Sequence, residues 1–150
     1  MCKFLSAIVM RNGDVICDPE HTDSHADLIL ANNLSTTTVG ERGYCRVEYA
    51  PADGDPANTD NYVLCVDEET VPAWWAKRQG AVEENLKARI ARMVIEGEVK
   101  CLLGGCWIVR GKSVIGKVRS SRIVAVRGSA QITNVRDSAQ ITDDHRAVKA

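Results

Sequence analysis

The sequence predicts an α+β fold: a mostly antiparallel sheet packed on one long and one short helix, which continues into a short C-terminal β-solenoid-like segment. Three observations predict it. An apolar stripe runs along residues 70–97, β-rich runs flank that stretch on both sides, and a nine-residue repeat occupies the end of the chain. An apolar stripe at helical spacing needs a second layer to cover it, and the flanking strands provide one. We expect an α+β domain over 1–110, a nonapeptide-repeat segment over 111–143 and a flexible tail over 144–150.

The long helix is predicted from apolar side chains that share one helical face: Trp75, Val82, Leu86, Ile90, Met93 and Val94. Thr70 is the expected N-cap, Pro72 the expected first-turn residue, and Gly97 the expected C-terminal stop. The acidic run 67–69 precedes the helix, where the helix dipole favours negative charge.

Shorter elements are predicted from turn and cap signals. Asn12-Gly13 between two β-rich runs predicts a hairpin with a type I′ turn. Ser24 followed by Asp27 resembles a capping box and predicts a short helix over about residues 25–33. Further strand-like runs lie at 44–50, 61–67, 99–103 and 106–110.

Composition restricts the class of protein. No apolar run approaches the roughly 18 residues that a membrane helix needs, and the N-terminal residues make a poor signal peptide, so we expect a cytoplasmic protein without a membrane partner. The six cysteines form no C-x-x-C pair and are expected to be small buried hydrophobic residues rather than disulfides. Residues 1–103 carry a net charge of −7 and residues 104–150 carry +6, an asymmetry that indicates an interaction.

The repeat lies in the basic segment. SAQITNVRD at 129–137 is followed at once by SAQITD at 138–143, so the first five residues recur at an offset of nine. SSRIVAVRG at 120–128 keeps the serine, isoleucine, valine and arginine of that pattern. A short fixed period with β-branched residues is typical of a β-solenoid, in which stacked repeats bury what one repeat cannot bury alone.

Four motifs together carry a resemblance. They are KFLSAIVMRNGDVICDPEHTDSH at the front, a central PAWW, LLGGCWIV, and the tail of serine-led nonapeptides. This combination resembles a group of uncharacterised bacterial and bacteriophage proteins, in which the tail often contains many more repeats. The resemblance covers nearly the whole chain. It implies an N-terminal α+β domain with a repetitive tail and implies no established activity.

The densest set of ligand-type side chains lies at residues 17–25. His21, Asp23 and His25 alternate along the chain and could share a divalent metal, with Cys17 as a fourth ligand. If Ser24 is instead the N-cap, His25 enters the first helical turn, where free amides favour an anion such as the phosphate of a nucleotide. A third interpretation makes these residues a polar loop that only caps the helix.

Trp74 and Trp75 form the second candidate. A tryptophan pair near a helix start could stack a base or a sugar, and we therefore place Trp74 in a ligand-binding set with His21, Asp23, Ser24 and His25. The favoured interpretation of the pair is that Trp75 belongs to the apolar stripe while Trp74 lies beside it at an interface.

The leading functional hypothesis is a non-enzymatic binding or assembly module that forms a homo-oligomer, most simply a dimer. A solenoid of three to four nonapeptides leaves an uncovered end, and an unpaired strand edge recruits another chain. The predicted interface residues are Val126, Arg127, Ile132, Val135, Arg136 and Ile141.

Two other functions remain open. One is a small-ligand binder, for example a phage-type protein that sequesters a nucleotide signal. The other is a metal-dependent hydrolase that uses His21, Asp23 and His25. The sequence contains no recognisable catalytic motif, so we assign no catalytic residue and no cofactor beyond a possible divalent metal. The basic tail has no aromatic side chain after Trp107 to stack a base, which argues against nucleic acid as a partner.

Overall fold

The computed structural model describes residues 4–34 and 43–146, and the chain divides into two compact units. One unit comprises Met1–Gly54 and Asp60–Arg89, and the other comprises Asp55–Thr59 and Ile90–Ala150. The first contains an antiparallel sheet, and the second contains two parallel sheets. The mixed fold with two helices and a C-terminal β-solenoid is confirmed.

The first unit is built on a four-stranded sheet with the order β2-β1-β3-β4, all antiparallel. Its strands are β1 Leu5–Met10, β2 Val15–Ile16, β3 Tyr44–Pro51 and β4 Tyr62–Val66. Its helices are α1 His25–Ala31 and most of α2 Gln79–Met93, whose residues from Ile90 onward belong to the second unit. Ile8 and Tyr44 lie on one face of the sheet and pack against Leu28 of α1. Because neighbouring side chains of a strand point to opposite faces, Val47 belongs to the other face, where it is also fully buried.

The predicted hairpin between β1 and β2 is confirmed, but its predicted type I′ turn is wrong. That turn needs positive φ at both central residues, and here Gly13 has φ +100° while Asn12 does not have positive φ. The amide of Gly13 donates to the Met10 carbonyl at 2.8 Å, and the Asp14 amide donates to the Asn12 side chain at 3.0 Å. The loop is therefore longer than two residues and ends in a left-handed glycine, a common alternative hairpin connection.

Helix α1 begins where the sequence predicts. The Ser24 hydroxyl accepts a hydrogen bond from the Asp27 amide at 3.3 Å. The reciprocal half of the capping box is indirect: the Ser24 amide donates to Thr22 Oγ1, and the Thr22 hydroxyl donates to the Asp27 carboxylate, both at 2.9 Å. Aspartate is one methylene shorter than the glutamate usual at this position, and Thr22 spans the gap.

Helix α2 is shorter than predicted at both ends. A 3₁₀ turn at Trp75–Lys77 precedes it, and the chain enters a strand at Val94. The acidic run does not face a helix N-terminus, because the Glu68 carboxylate accepts from the backbone amide of Arg46 at 3.0 Å and pairs with its guanidinium at 3.1 Å. The predicted apolar stripe is nevertheless buried at five of its six positions: Trp75, Val82, Leu86, Ile90 and Met93.

The second unit is a parallel β-solenoid. Its strands are β5 Val94–Ile95, β6 Glu98–Leu103, β7 Cys106–Val109, β8 Val114–Arg119, β9 Arg122–Gly128, β10 Gln131–Ile132, β11 Val135–Arg136, β12 Gln140–Ile141 and β13 Asp144–Arg146. One sheet contains β6, β8, β10 and β11, and the other contains β5, β7, β9, β12 and β13. Parallel pairing thus begins at β5, earlier in the chain than the predicted start at residue 111.

The sequence repeat is half of the structural repeat. Val99 pairs with Ile115 and Ile115 pairs with Ile132, steps of 16 and 17 residues, and Ile123 pairs with Ile141 at a step of 18. One nonapeptide therefore forms one side of a coil and the next nonapeptide forms the other side. The two SAQIT sequences lie on opposite sheets of the outermost described coil.

The corners between strands use left-handed backbone. Gly111, Ser120, Gly128 and Asp137 have φ between +47° and +69°. A left-handed residue turns the chain sharply without a longer loop, which keeps each side of a coil within one nonapeptide.

The described cysteines are only partly as expected. Cys45 and Cys106 are buried, Cys65 and Cys101 are exposed, and none of the five described cysteines is in a disulfide. Within residues 4–34 and 43–146, neither helix has the length and hydropathy that crossing a bilayer requires.

Candidate functional site

The predicted cluster at residues 17–25 does not converge. His21 is exposed, and its Nδ1 lies 2.8 Å from the Asp18 carboxylate, whose hydrogen bond and charge raise the pKa of His21. The Asp23 carbonyl accepts from the buried Ser6 hydroxyl at 2.5 Å. Burial raises the pKa of Cys17, whose sulfur accepts from Arg89 at 3.2 Å. His21 thus pairs within the segment and Cys17 bonds to α2, and among the described residues no ligand-atom group joins His21, Asp23 and His25.

His25 is the exception, because its ring is enclosed. The side chain is 7% exposed, Nε2 lies 2.9 Å from the Val47 carbonyl oxygen, and Nδ1 lies 3.1 Å from Asp67 Oδ2. Ser24, as the N-cap, sets the start of α1 and so directs the His25 ring toward β3.

His25 belongs to a cluster that the sequence does not reveal. One ligand atom each from His25, Glu48 and Asp67 lies within 4.8 Å of the other two, and this is the one such group of three among the residues that the structure describes. His21 and Asp23 are not part of it. In the sequence, Glu48 looks like an ordinary outward-facing position of a strand. Asp67 belongs to an acidic run that precedes the predicted helix. The pairing of β1, β3 and β4 and the docking of α1 bring them together.

A cavity of about 430 Å³ lies beside α1. Its walls include His25, Ala26, Ile29, Leu30 and Arg46. Of the predicted ligand-binding set, His25 alone reaches it. The binding of a nucleotide or another anion by that set stays a prediction.

Trp74 lies elsewhere in the first unit. Its ring packs edge-on against Trp75, with 6.4 Å between the ring centroids and an interplanar angle of 66°. Trp75 is 4% exposed, and Trp74 is half-buried. This arrangement agrees with a core tryptophan and a flanking neighbour.

The predicted interface residues divide into an inner and an outer group. Val126 is fully buried in β9, and Arg127 pairs with Asp143 at 2.6 Å and with Asp55 at 2.8 Å. Both residues are thus engaged within the second unit. The other four lie in the outermost described coil: Ile132, Val135, Arg136 and Ile141.

Exposure along one apolar column identifies an uncovered end. Leu102, Val118 and Val135 are register partners on β6, β8 and β11. Their exposed fractions are 5%, 0% and 44%. Val118 lies between β6 and β11, whereas Leu102 and Val135 each have β8 as their one described strand partner. Leu102 is nevertheless buried, and Val135 is not. The core of the solenoid therefore reaches the surface at this end.

The same end has unpaired strand edges. Within the described chain, β10 and β11 pair only with β8, and β12 and β13 pair only with β9. Their outer edges have no strand partner in residues 4–34 and 43–146. On β13, Arg146 pairs with Asp144 at 2.5 Å, so this edge carries both signs of charge. On β10 and β11 the sole charged side chain is Arg136.

Comparison with known proteins does not assign the chain. The resemblance to bacterial and bacteriophage proteins stays a prediction. No family model matches the chain, and neither a curated protein nor a solved structure matches it.

Proposed function

We propose that this protein is an assembly module that forms a homodimer through the outermost coil of its β-solenoid. The observation that carries the proposal is the exposure of Val135, at 44%, in a column whose inner members are buried. Covering this apolar end removes its surface from water, which favours association. A coil of matching pitch from a second copy supplies that cover.

Backbone hydrogen bonding supports the same partner. The outer edges of β10 to β13 have no strand partner among the described residues and present backbone amide and carbonyl groups. Such edges act as templates for another strand unless they are blocked. A second copy that docks end to end satisfies edges on both sheets at once, and a two-fold axis closes the assembly at two chains.

The half-coil repeat makes the end suited to self-association. Each of the two sheets presents a Ser-Ala-Gln-Ile-Thr edge in the outermost described coil. Either sheet of a second copy can therefore dock on either sheet of the first, because each sheet presents the same edge sequence. The acidic and basic side chains of β13 are also self-complementary in an antiparallel pair, since Asp144 and Arg146 lie symmetrically about His145.

The test is a lysine substitution at the uncovered position. Val135→Lys keeps its aliphatic stem on the apolar end and places a charge where the second copy docks, so we expect the dimer to dissociate to a chain of 16.4 kDa. Light scattering during gel filtration at micromolar concentration measures the mass of wild type and variant.

Val114→Lys is the matched control. Val114 is also an exposed valine of the same sheet, at 37%, but its strand β8 is flanked by β6 on one side and by β10 and β11 on the other. We expect this variant to remain a dimer. A monomeric wild-type chain contradicts the proposal, and so does an equal effect of the two substitutions.

A further inference from the structure

The three members of the His25 cluster come from different elements. His25 is the first residue of α1, Glu48 lies within β3, and Asp67 directly follows β4. Their ligand atoms all lie within 4.8 Å of one another. The cluster joins a buried imidazole to one half-buried and one exposed carboxylate.

The hydrogen bond of Nε2 determines where the His25 ring can carry its proton. The Val47 carbonyl oxygen accepts hydrogen bonds and cannot donate one, so Nε2 at 2.9 Å must be the N–H. Nδ1 is therefore the ring nitrogen that can coordinate a metal. It lies 3.1 Å from Asp67 Oδ2.

A histidine that binds a metal through one ring nitrogen usually donates its other N–H to a backbone carbonyl or a carboxylate, which fixes the tautomer and the ring orientation. His25 has this arrangement, with Nδ1 as the free ligand atom. The two carboxylates together match the charge of a divalent ion. We propose that His25 Nδ1, Glu48 and Asp67 bind a divalent transition-metal cation.

The donor types fit this class of ion. Ligand bonds of about 2.0–2.2 Å to a tetrahedral zinc place neighbouring ligand atoms about 3.3–3.6 Å apart. Nδ1 and Asp67 Oδ2, at 3.1 Å, are close to that separation, and Glu48 offers a ligand atom within 4.8 Å of both. One imidazole with two carboxylates suits zinc, manganese or iron, whereas calcium and magnesium take oxygen ligands.

The Asp67 backbone is held independently of any ion. Its amide donates to the Arg46 carbonyl at 2.9 Å, and the next residue, Glu68, pairs with the Arg46 side chain. The Asp67 side chain is 53% exposed, which gives an ion access from solvent. The buried His25 and the anchored Asp67 backbone thus preorganise two of the three ligands.

The experiment uses the full chain, stripped with a chelator and titrated with Mn²⁺ or Zn²⁺ by isothermal calorimetry. We expect one ion per chain, and we expect Asp67→Asn and Glu48→Gln each to weaken binding by about tenfold or more. Both substitutions are nearly isosteric, and circular dichroism checks that the variants fold. His21→Ala is the control, because His21 is an exposed imidazole of the same segment that pairs with Asp18 instead. It should bind like the wild type.

A second measurement observes the His25 ring directly. In nitrogen NMR spectra, the resonance of His25 Nδ1 should shift on addition of Zn²⁺. A His25 Nδ1 resonance that does not respond to Zn²⁺ overturns the proposal. The absence of calorimetric binding, or unchanged binding by Asp67→Asn and Glu48→Gln, also overturns it.

Discussion

Leu86→Ala is expected to lower the free energy of unfolding by about 2–5 kcal/mol, because the substitution removes buried methyl groups and leaves a cavity. Leu86 is fully buried at the centre of the apolar stripe of α2. Urea denaturation followed by circular dichroism and by tryptophan fluorescence measures the change, and the m value shows whether the unfolding transition keeps its form.

Lys87→Ala is the control for that substitution. Lys87 is the next residue on the helix and is exposed. We expect it to change the free energy of unfolding by well under about 1 kcal/mol. Comparable losses from the two substitutions would contradict the orientation of α2, since a helix face cannot be both core and solvent-facing.

Gly128→Ala is expected to destabilise the solenoid by about 2–5 kcal/mol, the sum of two separate costs. Gly128 has φ +69°, and a left-handed backbone costs a non-glycine residue about 1–2 kcal/mol. A Cβ at this position would also lie 2.7 Å from the Gly111 carbonyl oxygen in the coil below. Relieving that overlap shifts the corner, at a cost of about 1–3 kcal/mol.

Gly111→Ala separates the two costs. Gly111 has the same φ of +69°, but a Cβ there would have no atom within 4 Å. We expect it to cost only the backbone term of about 1–2 kcal/mol. Urea denaturation of both variants provides the comparison. Equal losses would mean that the stacked corners tolerate a methyl group and that glycine is required at 128 for its backbone alone.

The sequence by itself determined the features that depend on neighbouring residues. The hairpin at Asn12-Gly13, the Ser24 cap of α1 and the buried face of α2 were all predictable. Turns, caps and helical stripes act over a few residues, so their signals survive in the linear chain. The limits of α2 were less predictable, because Glu68 bonds to Arg46 on a distant strand rather than to a helix end.

The solenoid shows the same division between local and distant information. The nonapeptide repeat and its β character are visible in the sequence. The stacking partner of each repeat is not visible there, since a period of nine permits either one repeat or two repeats per coil. The structure has two repeats per coil, because left-handed corners such as Gly128 and Asp137 turn the chain after each repeat.

The candidate metal site depended most on tertiary structure. His25 was recognisable as a ligand type, but sequence proximity suggested His21 and Asp23 as its companions. Glu48 and Asp67 reach His25 only through antiparallel pairing of β3 with β1 and β4 and the docking of α1. Ligand sets assembled from separate elements leave no spacing signal, because sheet register and helix packing set the distances between them. The repeat was therefore predictable from the sequence alone, whereas only the fold brings His25, Glu48 and Asp67 together.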